Sequence, residues 1–190
     1  MMPIAPLMIE HRLIEKMITL IKEEIGLSQH NGKINSESVD LAVDFIRTYA
    51  DHCHHGKEEE ILFRDLNKKA LPDDLKRIMK ELIEEHKQGR KVVANIVKAK
   101  ARYINGDIEA LAVILDSMRF MVDFYPKHIE KEDRHFFLPC MKYFNLDEQE
   151  SMLKEEWEFD KNLIHQIYKD KLSKAEKELA QNRKESFYRA

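Results

Sequence analysis

The chain has 190 residues, which is a common size for a single domain with a substantial core. Its 32 lysines and arginines nearly balance its 35 aspartates and glutamates, so the net charge of -3 gives no electrostatic reason to expect a nucleic-acid or anionic-membrane partner. Only five glycines and five prolines occur, and this shortage of turn residues disfavours an all-β fold. We therefore expect a mostly helical protein.

The cysteine content and the N-terminal residues indicate a cellular compartment. Cys53 and Cys140 are too few for a disulfide framework, and the first residues, MMPIAPLMIEH, have neither the basic part nor the apolar part of a secretory signal. The sequence contains no run of roughly 18 uncharged apolar residues, so no membrane-spanning segment is expected. These features predict a cytoplasmic protein with no membrane association.

The first predicted helix covers residues 6–27 and ends at the loop SQHNGKIN, where Gly32 favours a turn. Its apolar stripe, taken in steps of three and four, is interrupted by His11. The second predicted helix covers residues 36–69, and its stripe includes His55 and Glu59, which lie four positions apart on one face. Four neighbours of this pair are expected to point away from the stripe: Cys53, His54, Glu58 and Glu60.

The third predicted helix covers residues 72–105 and has His86 in its stripe. The fourth covers residues 107–144 and has His128 and Glu132, again four positions apart, while Pro126 predicts a kink or a break within it. A fifth helix, 147–181, is followed by a polar tail that is expected to fray.

Short connections between the first four helices predict an all-α fold, an antiparallel up-down four-helix bundle. We expect the bundle to occupy residues 1–146, with the additional C-terminal helix and the tail, residues 147–190, packed on it.

The interruptions of the four stripes fall at one level of this bundle. In each pair of successive antiparallel helices, the two histidines lie at the same number of residues, within two, from the connection between the helices. Four imidazoles and two carboxylates in one apolar layer suit two first-row transition metals better than one, with each carboxylate able to bridge the pair. We predict iron, because a structural zinc site would be complete with four ligands. The predicted metal ligands are His11, His55, Glu59, His86, His128 and Glu132.

Further side chains lie near enough to this layer to supply an additional ligand or an outer hydrogen bond. His52 and His135 are expected mainly at the rim. Tyr125 lies one turn before His128, where it either hydrogen-bonds a small ligand or serves as a core aromatic residue. Asp133 is either a solvent-side charge or an alternative bridge to Glu132.

The stretches LMIEHRLIEKM, CHHGKEEEILF, EEHKQGR and KHIEKEDRHFF make the sequence resemble the hemerythrin-like family, also called the HHE cation-binding domain, over about residues 7–145. The resemblance implies a four-helix bundle with two non-haem iron ions, bridged by an oxo or hydroxo group and by two carboxylates. Oxygen carriers of this family use five histidines, two of them four positions apart on the third helix. Here Leu82 stands at the earlier position, so one imidazole is missing. The carriers also place an aspartate five positions after the last histidine, which would be Asp133, whereas the repeated spacing favours Glu132.

The resemblance leaves several functions open. Our leading hypothesis is a di-iron protein that binds or reduces a small diatomic or peroxide ligand, namely O2, peroxide or NO, with an unknown electron donor. The alternatives are a metal-dependent sensor or iron-binding module whose C-terminal helix meets a protein partner, an iron-centre repair protein, and a metal-free structural bundle. Family members that repair iron centres usually carry paired cysteines in an N-terminal segment, and no cysteine precedes His11. Repair therefore follows less directly from the resemblance than the metal site does.

Overall fold

The computed structural model describes residues 1–160 and 164–189, without the side chains of residues 166 and 182–189. Every secondary-structure element in this part of the chain is helical, which confirms the predicted all-α class. None of the described helices has the length and the apolar character needed to cross a membrane. The elements, in chain order, are α1 (Ile4–Asn31), α2 (Ser36–Phe45), π1 (Ile46–His55), π2 (Glu58–Phe63), α3 (Arg64–Leu66), α4 (Asp73–Ile104), α5 (Ala110–Glu130), π3 (Lys131–Phe136), α6 (Phe137–Met141), α7 (Leu146–Phe159) and α8 (Ile164–Arg189).

Residues 36–66 form one nearly continuous helical stretch in which π-helical winding replaces α-helical winding twice. In a π-helix the backbone hydrogen bond reaches five residues along the chain, so each turn contains more residues than an α-helical turn. The buried residues follow this wider winding at a constant step of four: Ile46, Ala50, His54, Glu58, Leu62 and Leu66. In a regular α-helix the same step would drift by about 40° per turn and leave the core face.

Local signals explain where several helices begin and end. The Asn35 side chain accepts hydrogen bonds from the backbone of Glu37 and Ser38 at the start of α2. Asn145 and Glu148 form a reciprocal capping box at the start of α7. Gly32, which follows α1, has a left-handed backbone with φ of 67°, a conformation that favours glycine.

Two apolar clusters fill the interior. One contains residues of the later turns of α1 together with α2, α5 and α8, such as Phe45, Met118 and Leu172. The other contains the first turns of α1 and residues around π2, π3 and α6, such as Leu7 and Phe136. Buried polar side chains such as His11, His54, His86 and Glu132 lie between the residues of these two clusters.

Two details of the predicted helices are wrong. Of the kink or break predicted at Pro126, the break is absent, because helix α5 runs through Pro126 and π-helical winding begins only after Glu130. The predicted single C-terminal helix is two helices, α7 and α8, and the second continues to Arg189 instead of ending at Gln181. Residues 161–163, which the prediction places within that single helix, lie outside the described residues, as does Ala190.

Candidate metal centre

Seven polar side chains meet in the layer between the apolar clusters, and each is between 0 and 3% exposed. Helix α1 supplies one histidine, π1 two adjacent histidines, π2 a glutamate, α4 and α5 one histidine each, and π3 a second glutamate. These residues are His11, His54, His55, Glu58, His86, His128 and Glu132.

The donor atoms form two adjacent groups. His55, His86 and His128 each direct a ring nitrogen into the first group, and these nitrogens lie within 4.8 Å of one another. The ring centroids of His55 and His86 are only 3.8 Å apart, and the two rings are nearly parallel. The second group has one donor atom from each of four side chains, again within 4.8 Å: His11, His54, Glu58 and Glu132.

Both carboxylates face the two groups at once. Glu132 Oε1 lies 3.2 Å from His128 Nε2, whereas its Oε2 lies 3.2 Å from His11 Nε2. Glu58 Oε2 lies 3.4 Å from His86 Nε2, and its Oε1 lies 3.6 Å from His54 Nε2. Each glutamate therefore offers one oxygen to each group, which is the arrangement that a bridging carboxylate requires.

The inward-facing atoms lack hydrogen bonds. Within the described part of the chain, the Nε2 atoms of His11, His54, His86 and His128 and all four carboxylate oxygens of Glu58 and Glu132 are buried without a hydrogen-bond partner. Burying a polar atom without a partner costs about 1–3 kcal/mol, so eight of them in one place would be a large penalty. Cations bound between the two groups would satisfy these atoms, and the donor set therefore fits the metal ions that the sequence predicts.

Each imidazole is held from outside by a carboxylate on its other nitrogen. The Nδ1 atoms lie 2.7 to 3.3 Å from these acidic partners. Such a bond fixes the ring and leaves Nε2 free to face inward, as in the carboxylate–histidine–metal arrangement of many metal sites. The pairs are His11 with Asp133, His54 with Glu10, His55 with Asp51, His86 with Glu59, and His128 with Glu85.

A basic side chain holds each of these outer carboxylates in turn. Arg90 donates to both Asp51 and Glu59, at 2.7 and 2.8 Å. The remaining pairs are Arg12 with Asp133, Lys57 with Glu10, and Lys131 with Glu85. Four basic side chains thus offset most of the charge of the five outer carboxylates, and the inner carboxylates are left for a bound cation.

The pKa directions describe the layer without a cation. Burial, reinforced by the negative charge of Glu132, raises the pKa of Glu58 well above its usual range. Burial also opposes ionisation of Glu132, but the neighbouring His128 and His11 hold the pKa of Glu132 well below the usual range. Burial and the adjacent His86 lower the pKa of His55. Close carboxylates in one buried site cannot both be charged at low cost unless positive charge is supplied.

A cavity of about 200 Å³ adjoins the three-histidine group. Its lining includes His55, His86, Gly89, Arg90 and Tyr125. A Cβ atom at Gly89 would lie 3.9 Å from the Tyr125 hydroxyl, so the glycine keeps this space open. The cavity therefore borders two of the three histidines of this group.

The structure brings His11, His55, His86, His128 and Glu132 into the layer, all of which the sequence predicts there. Glu59 is placed differently, because it lies outside the layer and accepts hydrogen bonds from His86 and Arg90.

The expectation that His54 and Glu58 point away from the inner face is wrong, since both are buried in the layer. The physical reason is the π-helical winding of residues 46–63, which advances the inner face by one residue relative to an α-helix and allows two adjacent histidines to face inward. His54 also supplies the fifth imidazole that the sequence comparison with oxygen carriers leaves missing. The signal that could have found it is the row of apolar residues at a step of four on both sides of His54 and Glu58.

Of the four side chains that the sequence offers as additional ligands or outer hydrogen-bond partners, two lie at the layer or its cavity and two do not. Asp133 hydrogen-bonds His11 Nδ1 at 2.8 Å, and Tyr125 is a buried residue that lines the cavity. His52 and His135 are exposed.

Comparison with known proteins gives one family. The sequence model of the family described as Hemerythrin HHE cation binding domain matches residues 2–138, which include all seven side chains of the layer. Searches of curated proteins and of solved structures gave no significant match.

Proposed function

Because the chain belongs to the hemerythrin HHE cation-binding domain family, we propose that it is a non-haem di-iron protein that binds or reduces O2, peroxide or NO. The observation that carries this proposal is the buried layer of imidazole nitrogens and carboxylate oxygens that have no hydrogen-bond partners. A purely structural bundle would have no reason to bury so many unsatisfied polar atoms together.

The donor atoms support two ions of unequal surroundings. His55, His86 and His128 would hold one ion, and His11 and His54 the other, with Glu58 and Glu132 shared between them. Imidazole and carboxylate donors suit iron. The nearby thiol of Cys53 does not compete, because it donates to Asp160. The ion with two imidazoles would keep more positions free for a small ligand.

The proposal includes an antiparallel up-down course for the four helical stretches 4–31, 36–66, 73–104 and 110–141. Two pairs of positions support it. His86 lies as many residues before the end of α4 as His128 lies after the start of α5. His11 and His54 lie at similar distances from the residues that connect their helices.

Iron in this layer would supply reversible electron transfer and free positions for a small ligand. The chain itself holds the donors in place through the outer carboxylates and keeps bulk water out with the two apolar clusters. The cavity beside His55 and His86 restricts access to small molecules.

Anaerobic reconstitution with Fe(II) tests the proposal. We expect about two iron ions per chain, and after exposure to air a Mössbauer and absorption spectrum of a coupled ferric pair. Glu58→Gln should reduce the iron content to one ion or less, because it removes a shared donor. Glu59→Gln, the adjacent residue, should retain two ions with roughly 10–100-fold weaker affinity, because Glu59 only supports His86. A colourless parent protein with less than one iron would contradict the proposal, and equal losses in both variants would contradict the assignment of Glu58.

A metal-dependent sensor is the second candidate, and one observation favours it. The C-terminal helices are joined to the layer through buried polar contacts, described in the next subsection. Partner binding or an oligomeric state that changes with iron would favour sensing, whereas turnover of peroxide or NO without any partner would favour catalysis.

A further inference from the structure

The two C-terminal helices lie outside the part of the chain that the family model matches. They nevertheless pack directly against the helices that carry the donors of the metal layer and their outer carboxylates. Helix α7 contacts π2, and α8 contacts α1 and π1. The Phe159 ring packs on Gly56, where an added Cβ would approach to 3.2 Å. Asp160, the residue that follows α7, extends towards the interior of the bundle and is half-buried.

A chain of hydrogen bonds runs from Asp160 to the layer. Lys57 Nζ donates to both oxygens of Asp160 at 2.9 Å and also donates to Glu10. The other oxygen of Glu10 accepts from His54 Nδ1 at 2.8 Å. His165 of α8 adds a contact of 3.0 Å to Asp160. One C-terminal carboxylate is therefore two residues removed from an inner imidazole.

The carboxylate and basic side chain that hold His54 are more deeply buried than those that hold the other four histidines. The side chains of Arg12, Arg90 and Lys131 are 55, 39 and 26% exposed, so water stabilises their charges. The Lys57 side chain is 0% exposed. A buried ammonium group needs close anionic partners to offset its lost hydration, and Glu10 must at the same time accept from His54. Asp160 supplies the second anion.

The same cluster is not suited to an additional metal ion. Donor atoms of Glu10, Cys53, Asp160 and His165 lie within 4.8 Å of one another. The ammonium group of Lys57 is already bound to both of the carboxylates among them, so it takes the place that a cation would need.

We propose that Asp160 is a positioning residue for the metal site: it holds Lys57 against Glu10 and thereby fixes the orientation and the basicity of His54. Without Asp160, the full charge of Lys57 would fall on Glu10, which would then be a weaker acceptor for His54. The metal ion bound by His54 would lose affinity, while the ion bound by the three-histidine group would be less affected. This inference rests on the proposed function, because it assumes that the layer holds two metal ions.

Titration of the full-length metal-free protein with Co(II), followed by visible absorption, tests this inference. Asp160→Asn keeps the size of the side chain and removes its charge. We expect one of the two Co(II) ions to bind roughly 10–100-fold more weakly, with a changed absorption spectrum, while the other binds as in the parent. Asp160→Glu, which restores the charge, should recover most of the affinity.

Glu155→Gln is the matched control. Glu155 lies in α7, the helix that Asp160 follows, and forms an ion pair with Arg64 at 2.6 Å, but this pair is at the surface and leads to no inner imidazole. Its loss should leave both Co(II) affinities unchanged. The inference is overturned if Asp160→Asn binds both ions like the parent, if Glu155→Gln loses as much affinity, or if Asp160→Asn unfolds without metal, which would make Asp160 a support of the whole fold.

The parent protein separates this inference from the proposed function. A parent that binds no metal ions contradicts the proposed function itself. A parent that binds two Co(II) ions together with an unchanged Asp160→Asn variant contradicts only the role of Asp160.

Discussion

Each histidine of the layer uses its two ring nitrogens for different purposes. The Nδ1 atom bonds to an outer carboxylate, and in four of the five histidines the Nε2 atom is buried without a hydrogen-bond partner. Since a neutral imidazole has one N–H group, donation from Nδ1 leaves a lone pair on Nε2. That lone pair is what a metal ion needs, so the outer hydrogen bonds select the tautomer that can bind one.

Glu156 shows the opposite case, a buried acid that nothing satisfies. It is 0% exposed, and neither carboxylate oxygen has a hydrogen-bond partner among the described residues. Burial raises the pKa of Glu156 to about 8, although the charge of Lys57 opposes the shift; Glu10, Asp160 and Glu155 add to it. Glu156 is therefore protonated in the folded protein at neutral pH.

The stability of the metal-free protein should depend on pH through Glu156. In the unfolded chain this acid ionises near 4.5, whereas in the folded chain it ionises near 8. Between these values the folded state binds more protons, so the free energy of unfolding falls as the pH rises and is constant above the folded pKa. Glu156→Gln removes this loss. We expect thermal melts to show little difference from the parent near pH 5 and a more stable variant, by roughly 4 to 5 kcal/mol, above pH 8.

Glu155→Gln serves as the control for this measurement. Hydrogen bonds with Arg64 keep the pKa of Glu155 below its usual range, so Glu155 stays ionised from pH 5 to 9. Its substitution should shift stability by the same amount throughout that interval. A Glu156→Gln variant whose difference from the parent is likewise independent of pH would show that Glu156 does not titrate as described.

At the scale of helices, turn residues could be located from the sequence and π-helical winding could not. The boundaries near Gly32, Pro72 and Gly106 follow from backbone constraints that act locally, and the predicted helices end within a few residues of the observed ones. The π-helical segments depend on packing against four other elements, so an α-helical repeat was the natural assumption. That repeat places His55 on the inner face but not His54, because HHGKEEE contains two His–Glu pairs at the same spacing and only the winding distinguishes them.

The cavity explains why the long helix α4 has a glycine, Gly89, in its interior. Glycine is less favourable than alanine there by about 0.5–1 kcal/mol. Gly89→Ala should therefore raise the melting temperature, but its Cβ would extend into the space beside Tyr125. We expect the iron content to be retained and the rate at which azide perturbs the ferric absorption to fall several-fold.

Gly26 in α1 provides the comparison. It is exposed, and an added Cβ would meet nothing within 4 Å. Gly26→Ala should give a similar gain in stability without any change in azide binding. If both variants bind azide at the parent rate, the cavity beside His55 is not the route to the layer.

At the scale of the whole molecule, the metal layer divides the interior into two apolar clusters. Donors from α1, π1, π2, α4, α5 and π3 meet in this layer, so bound ions would link nearly every long helix of residues 4–136. Contributing donors from so many parts of the chain makes the site dependent on the complete fold. It would also make the stability of the fold dependent on bound ions.

Removing the metal should therefore lower the melting temperature markedly. A ligand present at a thousand times its dissociation constant stabilises the folded state by about 4 kcal/mol, which for a chain of this size corresponds to a shift of roughly 10 °C. Differential scanning calorimetry with and without a chelator measures the shift. Glu58→Leu removes a shared donor and two unsatisfied oxygens, so its melting temperature should respond less to metal than that of the parent and should exceed that of the metal-free parent. A parent protein that melts at the same temperature with and without metal would mean that the unsatisfied atoms of the layer are not stabilised by cations.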